Sequence, residues 1–168
     1  MSRLKRWFKE ALLLLLAGAV MLWGMDRLRA PTLPPDTGAM QVQTLQGETH
    51  TLAELSREKP LLVYVWATWC GICKLTTPVV ADMLADGTSV LSIALRSGDD
   101  ERVKAWLTKK GLNGPAVNDN DGRLAQRWDI GVTPTFIIIK NGNVVSTASG
   151  WSSRWGLQLR LWWAQRTA

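Results

Sequence analysis

The amino-acid sequence predicts an α/β fold in which helices flank a central mixed β-sheet, preceded by one N-terminal transmembrane helix. Two mainly apolar runs, at residues 61–66 and 89–95, alternate with helical patterns, as parallel strands covered on both faces do. Two further apolar runs flank Asn141-Gly142, the strongest short hairpin signal, and add an antiparallel pair to the sheet. An uncharged run at residues 11–25 predicts the transmembrane helix.

Residues 1–29 predict a cytoplasmic basic end followed by a membrane signal anchor. The apolar run is shorter than the ~20 residues that a helical span usually needs, but flanking aromatic side chains can lie in the two membrane interfaces: Trp7, Phe8 and Trp23. A cleavable signal peptide is the alternative, with the small residues 17–19 as its cleavage site, although the apolar run continues beyond that site. A soluble amphipathic helix is a third interpretation.

The distribution of charge predicts how the chain is oriented in the membrane. More basic residues precede the apolar run than follow it, where Arg27 and Arg29 stand near Asp26. The positive-inside rule then places the N-terminus in the cytoplasm. We therefore expect a single-pass protein of the bacterial inner membrane whose domain faces the periplasm, a space in which disulfides persist. Prolines at 31, 34 and 35 predict a stiff linker over residues 30–39, and residues 40–168 form the predicted domain.

The first elements of the domain are short. Residues 40–44 alternate between polar and apolar side chains and predict a short edge strand. Thr51 and Glu54 have the spacing of a capping box, which predicts a short helix ending before Pro60. His50 is the only histidine, and we expect it in an exposed loop.

Longer helices follow each of the two buried strands. The first begins near Cys73, contains Pro78 and is expected to kink there and to end near residues 86–87. The second opens on acidic residues that suit the helix dipole and ends at Gly111. The remaining short elements are a strand at 116–118, a plain turn at 119–122 and a helix at 124–128.

The C-terminal segment predicts one last helix that begins at a serine cap. Its large apolar side chains share one helical face: Trp155, Leu159, Trp162 and Trp163. We expect this face to pack on the sheet. The other interpretation is a face that docks on a membrane surface or a partner, because tryptophan favours interfaces.

The chemistry of the chain centres on its two cysteines, which are separated by two residues in Cys70-Gly71-Ile72-Cys73. They follow a predicted strand directly and open a predicted helix. The unpaired N–H groups and the positive dipole end of a helix N-terminus favour a thiolate, and such cysteines have pKa values of about 3.5–7.5. Cys70 is therefore the predicted nucleophile, and Cys73, one turn later, the resolving cysteine. The redox group is the Cys70–Cys73 disulfide, without another cofactor.

Three other interpretations of the cysteine pair stay open on the sequence alone. A structural zinc site needs about four ligands, and the chain offers two cysteines and one distant histidine, so no metal site is predicted. A purely structural disulfide would close a very short loop and restrain the chain little. A Cu(I) carrier with two thiolates is chemically reasonable. The net charge of +6 comes with no basic-aromatic module, so no nucleic-acid partner is predicted.

The motif Trp66-Ala67-Thr68-Trp69-Cys70-x-x-Cys73, with Val132-Thr133-Pro134-Thr135 and a hairpin further along, resembles the thioredoxin superfamily. The chain is most similar to the membrane-anchored branch that includes the cytochrome-c-maturation thioredoxins. Within that branch, residues 150–162 resemble the thioredoxin-like D proteins of the suppressor-of-copper-sensitivity group. The resemblance spans about residues 40–165.

The resemblance implies a substrate-binding site around the cysteines. Pro134 is then a cis-proline that faces them, and the backbone at Thr133 pairs with an extended substrate segment. Trp69, Gly71 and Ile72 surround the reactive sulfur and complete the predicted substrate-binding residues. The sequence departs from the family at two positions, because Tyr64 and Thr76 stand where relatives carry acidic residues that assist proton transfer at the buried cysteine.

The resemblance also implies a function. We expect a membrane-anchored, periplasmic reductase of protein disulfides, linked to copper and redox stress tolerance and supplied with electrons by a membrane transporter of the disulfide-reductase type. Delivery of reductant in cytochrome c maturation is the alternative enzymatic role. The alternative outside enzymes is a Cu(I)-binding module, for which Met40 and Met83 are the additional soft ligands in the domain.

Overall fold

The computed structural model describes residues 2–28 and 31–167 and divides the chain into two compact units, Met1–Ala30 and Pro31–Ala168. Residues 29 and 30, at which the anchor is predicted to end and the linker to begin, lie outside the described residues. The helices are α1 (Ser2–Leu28), α2 (Leu52–Leu55), α3 (Cys73–Ala85), α4 (Asp100–Lys109), α5 (Arg123–Arg127) and α6 (Arg154–Thr167). The strands are β1 (Gln41–Gln43), β2 (Thr49–Thr51), β3 (Leu61–Trp66), β4 (Ser89–Leu95), β5 (Ala116–Asp119), β6 (Thr135–Lys140) and β7 (Asn143–Ser149).

The first unit is the helix α1, whose 27 residues include the apolar run at residues 11–25. The leucine side chains at positions 12–16 are all more than half exposed. In the described part of the chain, no helix combines the length and the hydropathy that crossing a membrane requires.

The second unit is built on a five-stranded mixed sheet with the strand order β5-β4-β3-β6-β7. Strands β3, β4 and β5 run parallel, whereas β6 is antiparallel to both β3 and β7. Because β3 and β6 run in opposite directions, Val65 near the end of β3 pairs with Thr135 at the start of β6. The loop after β3 and the loop before β6 therefore meet at the same end of these two central strands.

Strand β3 forms the centre of the core, and all six of its residues are buried. Its side chains alternate between two apolar clusters because successive residues of a strand point to opposite faces. Leu62, Tyr64 and Trp66 belong to the cluster that includes the buried apolar residues of α3. Their neighbours at 61, 63 and 65 belong to the cluster on the other face, around Trp128. The mixed sheet with covered faces that the sequence predicts is confirmed.

The proline-rich residues predicted as a linker lie within the second unit. They include a short 3₁₀ turn, Thr37–Ala39, in which Thr37 and Gly38 are buried. Gly38 packs against the backbone of Gly142 in the turn between β6 and β7, so closely that an added Cβ would lie 2.8 Å from the Gly142 Cα. That turn has positive φ at both Asn141 and Gly142, as the Asn-Gly pair predicts for a type I′ hairpin.

The predicted edge strand near residue 42 does not join the main sheet. Strand β1 pairs with β2 in a separate two-stranded antiparallel sheet. His50 lies in β2, so its prediction as a loop residue is wrong; its side chain is half-buried and its Nε2 lies 3.2 Å from a Glu48 carboxylate oxygen. The capping box is confirmed, because the Thr51 side chain accepts from the Glu54 N–H while Glu54 accepts from the Thr51 N–H.

Helix α6 packs on the sheet with a different face from the one expected. Leu157 and Ala164 are buried, and Arg160 Nη1 donates to Ser146 Oγ on β7 at 2.7 Å. The predicted face is exposed instead, with Trp155 at 81% exposure. The expectation that this tryptophan-rich face packs on the sheet is therefore wrong. The helix has a second apolar face, and its smaller side chains, Leu157 and Ala164, allow the helix to lie closer to the sheet than tryptophan side chains would.

Candidate active site

The two cysteines lie where strand β3 gives way to helix α3. The chain leaves the sheet after Trp66, turns through residues 67–69 and reaches Cys70, whose N–H donates to the Ala67 carbonyl at 3.2 Å. Helix α3 begins at Cys73, and the side chain of Ile72, the residue directly before it, makes no capping hydrogen bond. The Cys73 N–H instead donates to Cys70 Sγ at 3.1 Å. A sulfur atom thus accepts from one of the N–H groups that helix geometry leaves unpaired.

The cysteine pair forms a disulfide, with an S–S distance of 2.20 Å and a Cα–Cα distance of 5.3 Å. The two residues differ in exposure, since Cys70 is 6% exposed and Cys73 is fully buried at 0%. An incoming sulfur atom can therefore reach Cys70 from solvent but not Cys73. This asymmetry agrees with the predicted division of labour between an attacking and a resolving cysteine.

The loop before β6 lies beside the accessible sulfur. The Thr133–Pro134 peptide bond is cis, as the resemblance implies. The Thr133 carbonyl oxygen lies 3.5 Å from Cys70 Sγ, although 63 residues separate the two in sequence. Pro134 is buried and Thr133 is half-buried, so the loop presents backbone rather than a large side chain next to the disulfide.

Exposed apolar side chains surround Cys70. Trp69 is 63% exposed, and its indole N–H donates to the Arg96 carbonyl at 3.1 Å, which fixes the ring at the surface. Gly71 and Ile72 are exposed as well. The structure therefore brings the predicted substrate-binding residues together around one sulfur atom. Their roles in binding remain predictions.

A cluster of hydroxyl groups lies beneath the buried cysteine. The Tyr64 hydroxyl is 2.9 Å from Thr76 Oγ1 and 2.9 Å from Thr77 Oγ1. Thr77 Oγ1 in turn donates to the Cys73 carbonyl at 2.6 Å. Burial raises the pKa of Tyr64, and the hydrogen bonds from the two threonines oppose this shift only in part. The cluster therefore carries no charge. Two of its members, Tyr64 and Thr76, stand at the positions where the resemblance implies acidic residues.

Comparison with known proteins identifies the family. A model of the AhpC/TSA family matches residues 35–147, which is more than half of the chain. The chain belongs to the AhpC/TSA family. A thioredoxin-like protein of Haemophilus influenzae is 37% identical over 163 residues, which cover 97% of this chain and 98% of the relative. The thiol:disulfide interchange protein DsbE of Tatumella citrea is 30% identical, over 80% of each chain.

A solved structure has the same fold as this chain. The crystal structure of a secreted Mycobacterium tuberculosis disulfide oxidoreductase aligns with a TM-score of 0.65 and 22% identity, covering 76% of this chain and 98% of that chain. With the cysteine geometry, these relatives establish a thioredoxin-like enzyme of the thiol-disulfide oxidoreductase type.

Sequence reasoning missed two residues of this oxidoreductase site. Leu75 is 69% exposed and lies one helical turn after Ile72, so the two side chains share a face; this spacing could have identified it. Thr77 could not have been identified from sequence, because only the tertiary structure brings its hydroxyl to Tyr64. Among the described residues, no three side chains of His, Cys, Asp or Glu are grouped so that they could hold a metal ion.

Proposed function

We propose that this protein is a membrane-anchored reductase of protein disulfides that acts in the periplasm. The observation that carries the proposal is the unequal access to the two cysteines: Cys70 reaches solvent, whereas Cys73 is fully buried behind it. The N–H of Cys73 points at Cys70 Sγ, where it stabilises negative charge on that sulfur. A protein disulfide is thus attacked by Cys70 first.

The reaction has two exchange steps. The Cys70 thiolate attacks one sulfur of the substrate disulfide, which forms a mixed disulfide and releases the other substrate sulfur as a thiolate. The Cys73 thiolate then attacks Cys70 Sγ, which forms the Cys70–Cys73 disulfide and releases the second substrate thiolate. Two electrons pass from the cysteine pair to the substrate, and the two protons that Cys70 and Cys73 lose on becoming thiolates are taken up by the two released substrate thiolates, directly or through solvent.

Substrates of this reaction are extended segments of other proteins. An extended segment can pair with the backbone at Thr133, whose carbonyl oxygen lies 3.5 Å from Cys70 Sγ. The exposed side chains of Trp69 and Ile72 and the backbone of Gly71 supply apolar contact on either side. Pro134 holds the loop that carries this backbone group.

The membrane location is part of the proposal. It is supported by the continuous helix α1, by the exposed leucines at positions 12–16, and by the excess of basic residues before the apolar run. A helix of 27 residues is about 40 Å long at 1.5 Å per residue. A protein held there can be reduced again by a membrane electron transporter of the disulfide-reductase type, which we propose as its partner.

Trapping of mixed disulfides tests the proposal. A Cys73→Ala variant cannot complete the second step, so we expect it to accumulate mixed disulfides with periplasmic proteins, visible on non-reducing gels. The matched Cys70→Ala variant retains only the buried thiol and should trap none. If neither variant traps a protein, or both do so equally, the proposed order of attack is wrong. A steady state in which wild-type Cys70–Cys73 is largely oxidised in cells would contradict the reductase direction.

The link to copper tolerance rests on the resemblance of residues 150–162 and has its own test. We expect cells that lack the protein to be more sensitive to copper, and the wild type but not Cys70→Ala to restore tolerance. Restored tolerance by a variant that binds Cu(I) but exchanges no disulfides would favour the copper-binding alternative. A loss of c-type cytochromes, with unchanged copper tolerance, would favour delivery of reductant to cytochrome maturation.

A further inference from the structure

A cavity of about 320 Å³ opens beside the residues that lead into Cys70. Its walls are formed by the loop before Cys70, by the loop between β4 and α4, and by the first turn of α4: Thr68, Trp69, Arg96, Ser97, Gly98 and Arg102. Trp69 immediately precedes Cys70 and also belongs to the exposed apolar surface around the sulfur. A substrate bound at Cys70 therefore lies next to this cavity.

Hydrogen bonds fix the position of the cavity relative to the cysteines. The Trp69 indole N–H donates to the Arg96 carbonyl at 3.1 Å, and the Thr68 N–H donates to Ser97 Oγ at 3.0 Å. On the other side, the Arg96 N–H donates to the Asp119 carbonyl at 3.0 Å. Arg96 has a φ of 44°, in the left-handed region that side-chain-bearing residues rarely adopt. The two loops are thus joined by contacts that do not depend on the arginine side chain.

Both arginine side chains occupy space that a glycine leaves open. A Cβ added to Gly98 would lie 2.7 Å from Arg102 Cδ, and a Cβ added to Gly122 would lie 2.5 Å from Arg96 Nε. A larger residue at either position would displace the arginine next to it. The Arg96 guanidinium group and the Arg102 methylene groups therefore lie close against backbone.

Two arginines line the cavity, which favours the binding of a negatively charged group there. Within the described part of the chain, neither Arg96 nor Arg102 forms an ion pair; the pairs present there involve other residues. Three acidic residues precede Arg102 directly in sequence, and Glu101, the nearest, is exposed and forms no ion pair with either arginine among the described residues. Asp99 accepts the Arg102 backbone N–H at 2.8 Å, and Asp100 accepts from Asn118 Nδ2 at 2.8 Å. The described residues that line the cavity include no acidic residue.

We propose that this cavity binds a carboxylate of the substrate, so that the enzyme prefers disulfides with Asp or Glu beside the reactive cysteine. Guanidinium groups bind carboxylates through paired, charge-assisted hydrogen bonds. The indole of Trp69 supplies an apolar wall for the methylene groups of the same side chain. This inference rests on the proposed function, since it specifies the substrates of the same site.

Single-turnover exchange with matched peptides tests the inference on the full chain. The probes are two peptide disulfides that differ only in Glu or Gln beside the cysteine, and their exchange rates are compared for the reduced protein. We expect the Glu peptide to react about threefold to tenfold faster at low salt, as for a partly shielded arginine–carboxylate pair. The ratio should fall towards one in 1 M NaCl, where charges are screened beyond about 3 Å.

Substitutions assign the preference to the cavity. Arg96→Gln and Arg102→Gln should each lower the Glu-to-Gln ratio at least twofold, while Arg96→Lys, which keeps the charge, should retain most of it. Arg57→Gln is the matched control, because Arg57 is an exposed arginine that does not line this cavity. A ratio near one in the wild type, or a ratio unchanged in both glutamine variants, would overturn the inference.

Two further arms separate this inference from the proposed function. The same ratio is measured with the oxidised protein and peptide dithiols, so a preference for Glu remains measurable even if the reductase direction is wrong. Glutathione disulfide carries carboxylates too and is tested separately. If the arginine variants slow glutathione disulfide but leave both peptides unaffected, the cavity serves a small thiol and the assignment to protein substrates is overturned.

Discussion

Replacement of Tyr64 by phenylalanine tests the hydroxyl cluster beneath the buried cysteine. The change Tyr64→Phe removes one oxygen atom and keeps the ring, which stacks on Phe136 with 5.2 Å between ring centroids. The lost hydroxyl makes hydrogen bonds of 2.9 Å to both Thr76 and Thr77, and lies 3.4 Å from the Cys73 carbonyl oxygen. The substitution therefore isolates the polar contribution of the residue from its packing.

The expected loss of stability follows from the number of hydrogen bonds. A typical intramolecular hydrogen bond contributes about 0.5–1.5 kcal/mol net, so the two short contacts together contribute about 1–3 kcal/mol. The Thr77 hydroxyl keeps its bond of 2.6 Å to the Cys73 carbonyl, which limits the penalty of leaving polar groups unpaired. We expect the free energy of unfolding to fall by about 2 kcal/mol.

Urea unfolding of the oxidised protein, followed by tryptophan fluorescence, measures this loss. Thr108→Val is a suitable control, because it removes an exposed hydroxyl that donates to the Lys104 carbonyl at 3.0 Å, and it should cost under about 0.5 kcal/mol. Burial raises the pKa of Tyr64, because the folded protein disfavours the charged phenolate. The stabilising effect of the Tyr64 hydroxyl is therefore present below about pH 10 and is lost as the pH rises further. A loss below about 0.5 kcal/mol in Tyr64→Phe would refute the reasoning.

Three further predictions follow from packing, a buried charge and a helix cap. Gly38→Ala should lower the free energy of unfolding by about 1–3 kcal/mol, because its Cβ would meet backbone atoms of Gly142, whereas Gly131→Ala, with open space around it, should not; urea unfolding checks both. Lys140→Met should cost about 1–2 kcal/mol by the same assay, because buried Nζ donates to two backbone carbonyls at 2.9 and 3.1 Å. The pKa of Glu54 is lowered, first by the backbone N–H that it caps, so the stability difference between wild type and Glu54→Gln should shrink as the pH falls below 4.5; a pH series of melting curves checks this.

The main sheet could be predicted because its strands carry their own signals. Residues 61–66 are uniformly apolar, and Asn141-Gly142 specifies a tight turn. Strand β2 could not, because Thr49, His50 and Thr51 are polar and extended only through their pairing with β1. The orientation of α6 was predicted wrongly for a different reason. The helix has apolar residues on two sides, and hydrophobicity alone does not show which side allows the closer contact with the sheet.

The candidate site was predicted in part for similar reasons. Two cysteines one helical turn apart after a strand can be recognised in the sequence itself as a redox pair. The pairing of β3 with β6 then brings Pro134 to them. The hydroxyls of Tyr64 and Thr77 are distant in sequence and meet only in the folded core. The cavity beside Trp69 was missed because its arginines stand in a loop and a helix with no motif, next to glycines whose role is visible only in three dimensions.

Alkylation of the reduced protein is the most direct test of the central claim that Cys70 attacks and Cys73 waits behind it. The two thiols are distinguished by mass spectrometry of peptides after brief treatment with iodoacetamide at pH 7. Because Cys70 reaches solvent and Cys73 is fully buried, the account predicts that Cys70 is modified at least about tenfold faster. Equal rates, or faster modification of Cys73, would contradict it.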